Sequence, residues 1–158
     1  MQAQALWRSL NTDQWPFPIN KLPTGTVLVG GFVRDALLGR LKTPADLDLI
    51  VPAQASNLAK KLAKNQGGKF ISLDKKRDIA RLILNGWTID LASQTEGDLI
   101  ENLLKRDFRL NAIALTLGPK PELVDPSGGL QDLKQRKLVA IQEKNLLEDP
   151  LCRNLFSF

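Results

Sequence analysis

Short apolar runs alternate with amphipathic stretches along most of the chain. In the runs the apolar residues are consecutive or two apart, which is typical of strands, and in the amphipathic stretches they recur every three or four residues, which is typical of helices. Gly39 and Gly67 follow two of the amphipathic stretches, where helix C-caps are expected. The pattern predicts helices over 5–10, 32–39, 55–66, 98–104 and 128–133, and strands over 26–29, 46–51, 69–73, 79–84, 87–91, 108–117 and 122–126.

The dipeptide Asn85-Gly86 separates two of the predicted strands. It favours a tight type I′ turn, whose two central residues both need positive φ. We therefore expect 79–84 and 87–91 to form an antiparallel hairpin. Because strand and helix patterns are interleaved, the fold class predicted is α/β (α+β), with a mixed sheet of about five strands flanked by helices.

The amino-acid composition excludes several classes of catalytic and metal site. Its 158 residues, 43% of them hydrophobic, fit one domain, and the net charge of +5 is a weak indication of a phosphate-rich partner. With one cysteine and no histidine, disulfide frameworks, zinc sites and Ser-His-Asp triads are excluded, and any metal must be held by oxygen ligands. The chain has no signal-peptide pattern and no apolar run of membrane length, so we expect a cytoplasmic protein without a membrane partner.

A phosphate-binding turn is one interpretation of the sequence "VGGFVRD". Gly30 and Gly31 lie between a predicted strand and a predicted helix, where glycines permit close backbone approach and the first helical amides attract anions. Arg34 is one turn further on and is within reach of the same anion. The alternative is that the glycines serve only a tight turn.

Three acidic residues occur at alternating positions of predicted strands. Asp46 and Asp48 share one side of their strand, and Asp90 shares a side with Thr88 in the second strand of the hairpin. Two neighbouring carboxylates favour a divalent cation between them, although two solvated residues at a strand edge are an alternative. If the hairpin lies beside the Asp46 strand, the three carboxylates converge next to the Gly30-Gly31 turn, as in a phosphoryl-transfer site.

Four segments in this order resemble one known family: "LVGGFVRDALLGR", "ADLDLIV", "KRDFRLNAIAL" and "LVDPSGGLQDL". They are similar to the head domain of class II tRNA nucleotidyltransferases and bacterial poly(A) polymerases, which belong to the DNA polymerase β-like nucleotidyltransferase superfamily. The resemblance extends from about Val27 to Asp149 and implies the nucleotidyltransferase fold.

The resemblance also implies a role for each matching residue. Asp46 and Asp48 match the catalytic, metal-binding carboxylates, and Asp90 lies where the family often has a third. The residues that match nucleotide-binding positions are Gly30, Gly31, Arg34, Arg106, Asp107 and Asn111. For Asp107 and Asn111, stabilisation of the local chain is an equal alternative.

The activity implied is template-independent addition of nucleotides from ATP or CTP to the 3′ end of RNA, most simply tRNA, by two-metal attack of the 3′-hydroxyl on the α-phosphate. Mg²⁺ or Mn²⁺ is the implied cofactor. The resemblance divides the chain into a lead-in over 1–25, a head domain over 26–145 and the start of a neck helix over 146–158. In the family, a neck motif that resembles "EDxxRxxRAxRF" selects the base.

This chain provides Glu148 and Asp149 of the neck motif, but Cys152 occupies its first arginine position and Arg153 follows one residue late. We therefore expect a head domain truncated at the start of the neck, with altered base selection. Two alternatives stay open: a remnant that binds nucleotide and metal with little or no activity, and a structural relic.

Overall fold

The computed structural model describes residues 3–94 and 97–148. The helices and strands that carry the core and the site follow the predicted alternation. They are α1 (Ala3–Ser9), β1 (Val27–Val29), α2 (Gly31–Leu37), β2 (Asp46–Val51), α3 (Ala55–Gln66), β3 (Lys69–Asp74), β4 (Ile79–Leu84), β5 (Trp87–Ser93), α4 (Leu99–Leu104), β6 (Ala114–Thr116), β7 (Leu123–Val124), α5 (Gly129–Gln135) and α6 (Glu143–Glu148).

The strands within these residues form one mixed sheet in the order β3-β4-β5-β2-β1-β6-β7. Only β2 and β5 pair in parallel; the other neighbours are antiparallel. The mixed α+β class is thus confirmed, and the sheet has seven strands where about five were predicted. Two of the seven, β6 and β7, are only three and two residues long and extend the sheet beyond β1.

The strand predicted over 108–117 is also wrong in its first half. A 3-10 turn occupies Arg109–Asn111, and the strand is confined to Ala114–Thr116. The Asp107 carboxylate accepts hydrogen bonds from the Phe108 amide, at 2.6 Å, and from the Asn111 side chain, at 3.2 Å. These side-chain bonds stabilise a turn where the apolar pattern favoured an extended chain.

The tight turn and the helix ends agree with their sequence signals. Asn85 and Gly86 have φ of 50° and 80°, as a type I′ hairpin requires. Gly67, with φ of 77°, closes α3 by donating its N–H to the Ala63 carbonyl. Asp98 caps α4 by accepting a hydrogen bond from the Glu101 amide at 2.9 Å.

The two faces of the sheet bury different clusters. The larger cluster lies on the face that carries Leu47, Leu49, Ile89 and Leu91, all at most 1% exposed. The lead-in packs into this same cluster, since its buried residues belong to it. These are Leu6, Leu10, Trp15 and Phe17.

The opposite face of the sheet carries a smaller apolar cluster, which shares this face with the acidic residues of β2. This cluster consists of Val27, Val29, Ile50, Leu103, Ala112 and Ala114. Because side chains alternate along β2, its acidic residues point to this second face while its leucines enter the larger core. The fold therefore places the carboxylates next to a small core, where they remain accessible.

The N-terminus of α3 is capped from a distance by Asp78, at the start of the hairpin. Its carboxylate accepts hydrogen bonds from the Ala55 amide at 2.8 Å, from the Ser56 amide at 3.0 Å and from the Ser93 hydroxyl. Burial alone would raise the pKa of Asp78, but the hydrogen bonds from Ser56, Ser93 and Ala55 outweigh it and lower the pKa below its ordinary value of 3.8.

We predict that Asp78→Asn lowers the free energy of unfolding by about 1–2 kcal/mol at pH 7. Because the folded-state pKa is lowered, this stabilisation is complete above the unfolded-state pKa and is lost as pH falls through the folded-state pKa. Urea unfolding of Asp78→Asn and of the parent protein should therefore give free energies of unfolding whose difference shrinks below pH 4. Glu122, whose side chain is exposed, provides the control. Glu122→Gln should change neither the free energy of unfolding at pH 7 nor its dependence on pH. A constant difference between Asp78→Asn and the parent protein down to pH 2.5 would contradict the assignment.

No helix among residues 3–94 and 97–148 combines the length and the apolar character that crossing a bilayer requires.

Candidate active site

The predicted catalytic carboxylates meet on two neighbouring strands. Asp46 and Asp48 lie on β2 and Asp90 on β5, and the parallel register sets Asp48 opposite Asp90 and Asp46 opposite Thr88. On the other side of β2, Asp48 is opposite Val29, the last residue of β1 before the glycine turn. The hairpin strand thus lies beside the Asp46 strand, as the sequence suggested.

An ion pair connects the glycine turn, β2 and the loop after α4. Arg106 Nη1 donates a hydrogen bond to Asp48 Oδ2 at 2.9 Å, and the two side chains are 23% and 40% exposed. Gly30 has φ of 79°, and a Cβ added there would lie 3.3 Å from both of these atoms. Only a glycine combines this backbone conformation with such a close approach. Gly30 is therefore where arginine, carboxylate and backbone come together.

A second set of hydrogen bonds orients Arg34. Its Nε donates to Asp35 at 2.8 Å and its Nη1 to the Asn111 side-chain oxygen at 2.9 Å. Asn111 in turn donates from Nδ2 to Asp107. Asp107 and Asn111 thus fix the local chain, which was one of the two roles considered for them, and Asn111 also fixes a predicted phosphate-binding arginine. Their contact with a nucleotide stays a prediction.

Two adjoining clefts contain all the predicted site residues. The first has a volume of about 460 Å³ and the second about 630 Å³, and Gly31, Arg34 and Asp48 line both. The first is completed by Gly30, Lys105, Arg106, Asp107, Asn111, Asn145 and Glu148. The second contains Asp46 and Asp90 and adds the cations Arg40 and Lys42. Carboxylates and cations therefore share one continuous surface that is large enough for a nucleotide.

Arg81 is a site residue that the motifs did not identify. It lies opposite Asp90 in the hairpin, and its Nε and Nη2 donate to Asp90 Oδ1 and Oδ2 at 2.8 and 2.9 Å. The hydrogen bond to Asp90 and the charges of Asp90 and Asp46 raise the pKa of Arg81 above its ordinary value. The signal was present in the sequence, because a two-residue turn at Asn85-Gly86 sets the register that opposes positions 81 and 90.

Asn145 is a second residue that sequence reasoning missed. It is 7% exposed, and its amide donates to the carbonyls of Leu104 and Arg106 at 3.0 and 2.8 Å. These bonds fasten α6 to the chain that carries Arg106. The contact joins residues 39 and 41 positions apart, and no local pattern indicates it.

The donor set fits a divalent cation that has few protein ligands. The Asp46 carboxylate has no hydrogen bond or ion pair with any described residue, and the Asp48 carboxylate uses only Oδ2 for Arg106. Across residues 3–94 and 97–148, no three acidic or cysteine side chains are grouped closely enough to enclose an ion. Mg²⁺ is commonly bound by one or two carboxylates, with waters and substrate phosphates as its other ligands. Asp46 and Asp48 meet that requirement.

Residues 26–139 match the model of the poly A polymerase head domain, which covers both glycines and every acidic and basic residue of the two clefts except Glu148. The chain belongs to the poly A polymerase head domain family. The family assignment that the motifs implied is thus confirmed.

Relatives of this head domain include enzymes of two specificities. The chain is 41% identical over 139 residues to a CC-adding tRNA nucleotidyltransferase of Synechocystis sp., covering 88% of this chain and 33% of the relative. It is 42% identical over 134 residues to an A-adding tRNA nucleotidyltransferase of Deinococcus radiodurans, covering 85% and 30%. The chain therefore spans about a third of the length of the curated relatives it matches.

Solved structures agree with the head-domain assignment. A CCA-adding enzyme in complex with CTP superposes with a TM-score of 0.73 at 29% identity, covering 95% of this chain and 39% of the other. A Thermotoga maritima CCA-adding enzyme in complex with tRNA gives 0.67 at 32% identity, covering 92% and 34%. The neck-motif positions Asp149, Cys152 and Arg153 lie outside the described residues.

Proposed function

We propose that the chain is the catalytic head of a nucleotidyltransferase that adds nucleotides from ATP or CTP to the 3′ end of RNA, with tRNA as the expected acceptor. The proposal rests mainly on one observation. The two adjoining clefts bring the carboxylates of Asp46 and Asp48 onto the same surface as the Gly30-Gly31 turn and two arginines, Arg34 and Arg106. Relatives named CC-adding and A-adding tRNA nucleotidyltransferases support the same reaction.

The reaction proposed is an in-line displacement. The 3′-hydroxyl oxygen of the RNA forms a bond to the α-phosphorus of the nucleoside triphosphate, the bond to pyrophosphate breaks, and the hydroxyl proton leaves to solvent. Asp46 and Asp48 would hold Mg²⁺ or Mn²⁺, in keeping with the two-metal chemistry that the resemblance implies. When bound, the metal activates the attacking oxygen and offsets negative charge on the phosphates.

The arginines are arranged to receive the triphosphate. Arg34 lines the cleft and donates from Nε to Asp35 and from Nη1 to Asn111. Its Nη2 has no hydrogen bond to a described residue, and a Cβ added at Gly31 would lie 3.4 Å from it, so this donor remains available for a phosphate oxygen beside the glycine turn. Arg106 contacts Asp48 through Nη1 alone. The fixed donor geometry of a guanidinium suits phosphate oxygens. A catalytic role for Asp90, beside the two carboxylates that would bind the metal, is also part of the proposal.

We propose the same division of the chain that the motifs implied, with a lead-in over 1–25, the head domain over 26–145 and the start of a neck over 146–158. The match to the head-domain model over 26–139 supports the central part. The lead-in contributes Leu6 and Trp15 to the larger core and belongs to the same folded unit.

Extension of a tRNA that lacks its 3′ end tests the proposal. Purified chain with Mg²⁺ and labelled CTP or ATP should lengthen this RNA, and chelation of the divalent ion should stop the reaction. Absence of extension together with Mg²⁺-dependent binding of nucleotide, measured by calorimetry, would favour the alternative of a nucleotide- and metal-binding remnant. Absence of both would contradict the proposed site.

A further inference from the structure

The three carboxylates of the second cleft differ in how their oxygens are used. Asp90 has both oxygens occupied by Arg81. Asp48 has one carboxylate oxygen occupied by Arg106, and the Asp46 carboxylate has no hydrogen bond or ion pair with a described residue. Asp90 is thus the only one of these three whose carboxylate is fully engaged by a guanidinium.

Asp90 lies close enough to Asp46 and Asp48 for its carboxylate to affect cation binding. The parallel register sets Asp90 directly beside Asp48, and all three carboxylates line the same cleft. Neighbouring carboxylates repel each other, and a divalent cation is attracted more strongly as the number of available carboxylates rises. As the side chains stand, with Asp90 bonded to Arg81, the three carboxylates do not form a group that could hold an ion. Without that partner, the charge and the oxygens of Asp90 would become available to the site formed by Asp46 and Asp48.

The position of Arg81 is suited to keep the Asp90 carboxylate from joining the cation site. It lies across from Asp90 in the antiparallel hairpin, and its two parallel hydrogen bonds fix the carboxylate plane as well as neutralise its charge. The two side chains are 40% and 31% exposed, so the pair lies at the edge of the cleft where solvent and ligands have access.

We propose that Arg81 is a positioning residue that holds Asp90 out of the cation site, so that the cation is bound by Asp46 and Asp48 alone. This inference rests on the proposed function, because it concerns the same metal site. A weaker site with two carboxylates leaves coordination positions for the phosphates of the incoming nucleotide. Arg81 thereby controls how tightly the metal is held when no nucleotide is bound.

Titration of Mn²⁺ into the full chain, followed by the loss of its free-ion electron paramagnetic resonance signal, tests the role of Arg81. We expect Arg81→Met to tighten Mn²⁺ binding by about tenfold, because it makes a third carboxylate available. Adding Asp90→Asn to that variant should return the affinity to within about twofold of the parent protein. Arg77→Met is the matched control, since Arg77 lies on the turn before β4, is 78% exposed and makes only a 3.8 Å contact with Asp74, the last residue of β3.

Arg81→Lys separates charge from geometry, since lysine keeps the charge but loses the two-pronged contact. We expect binding between that of the parent and that of Arg81→Met. Unchanged or weakened binding in Arg81→Met would overturn the inference, as would tightening that persists after Asp90→Asn. If Arg81→Met does not fold, wild-type-like affinity in a folded Arg81→Lys variant overturns it.

Failure of this inference is distinguishable from failure of the proposed function. Asp46→Asn and Asp48→Asn should each weaken Mn²⁺ binding in the parent chain. If they do and the Arg81 variants leave the affinity unchanged, the metal site stands and only the role of Arg81 is rejected. If neither aspartate variant affects binding, the proposed metal site itself is rejected.

Discussion

Replacement of Asp48 by asparagine should lower the rate of nucleotide addition at least about a thousandfold, which corresponds to about 4 kcal/mol of lost transition-state stabilisation. Asparagine keeps the size and most hydrogen-bonding capacity of the side chain but removes the charge that binds a divalent cation. Because Asp48 also accepts a hydrogen bond from Arg106, the variant weakens the contact that holds this arginine over the glycine turn. Asp46→Asn should cause a loss of the same order. Single-turnover extension with saturating Mg²⁺ measures both.

A matched variant separates loss of chemistry from loss of fold. Asp13 is exposed in the lead-in and lines neither of the two site clefts. Asp13→Asn removes the same charge and should leave the rate unchanged, and all three variants should keep the thermal unfolding temperature within a few degrees. An Asp48→Asn variant that folds normally and retains more than about a tenth of the parent rate would contradict the catalytic role of Asp48.

Replacement of Arg106 by alanine should reduce kcat/KM for the nucleotide by about 10²–10³, since removal of one preorganised donor at a developing charge typically has this cost. The structure gives the reason. Arg106 is the cation in direct contact with Asp48, its side chain is 23% exposed, and Asn145 holds its backbone carbonyl in place. Without it, a triphosphate next to Asp48 would meet an uncompensated negative charge.

Arg106→Lys tests whether charge alone is sufficient. It should recover part of the loss, because lysine restores the charge without the fixed donor geometry. Arg8→Ala, at an exposed position of α1, is the control and should behave as the parent protein does. Equal kcat/KM values for Arg106→Ala and the parent protein would remove Arg106 from the site.

Much of the site could be predicted from sequence because local rules determine its parts. Strand alternation placed Asp46 and Asp48 on one side of β2, and the Asn85-Gly86 turn fixed the register of the hairpin that carries Asp90. Helix capping signals such as Gly67 and Asp98 were equally local. In each case the deciding interaction spans only a few residues.

The parts that could not be predicted depend on contacts between distant residues. The partner of Asp48 is Arg106, 58 positions away, and the two meet only because the chain returns after α4 to lie against the end of β1. The sequence predicts strands over 108–117 and 122–126 but not that they join the sheet as β6 and β7, because that depends on the pairing of β6 with β1 and of β7 with β6. The apolar residues of 108–117 predict a strand, because the sequence pattern does not show the hydrogen bonds by which Asp107 stabilises a turn there.

The stoichiometry of pyrophosphate release tests the central claim, that this surface transfers a nucleotide through attack on the α-phosphate. CTP or ATP labelled in the γ-phosphate should be incubated with Mg²⁺, the full chain and a tRNA lacking its 3′ end, while RNA extension is followed in parallel. We predict one labelled pyrophosphate for each nucleotide added, and neither product with Asp48→Asn. Release of labelled orthophosphate without extension, or extension that survives Asp48→Asn, would contradict the account.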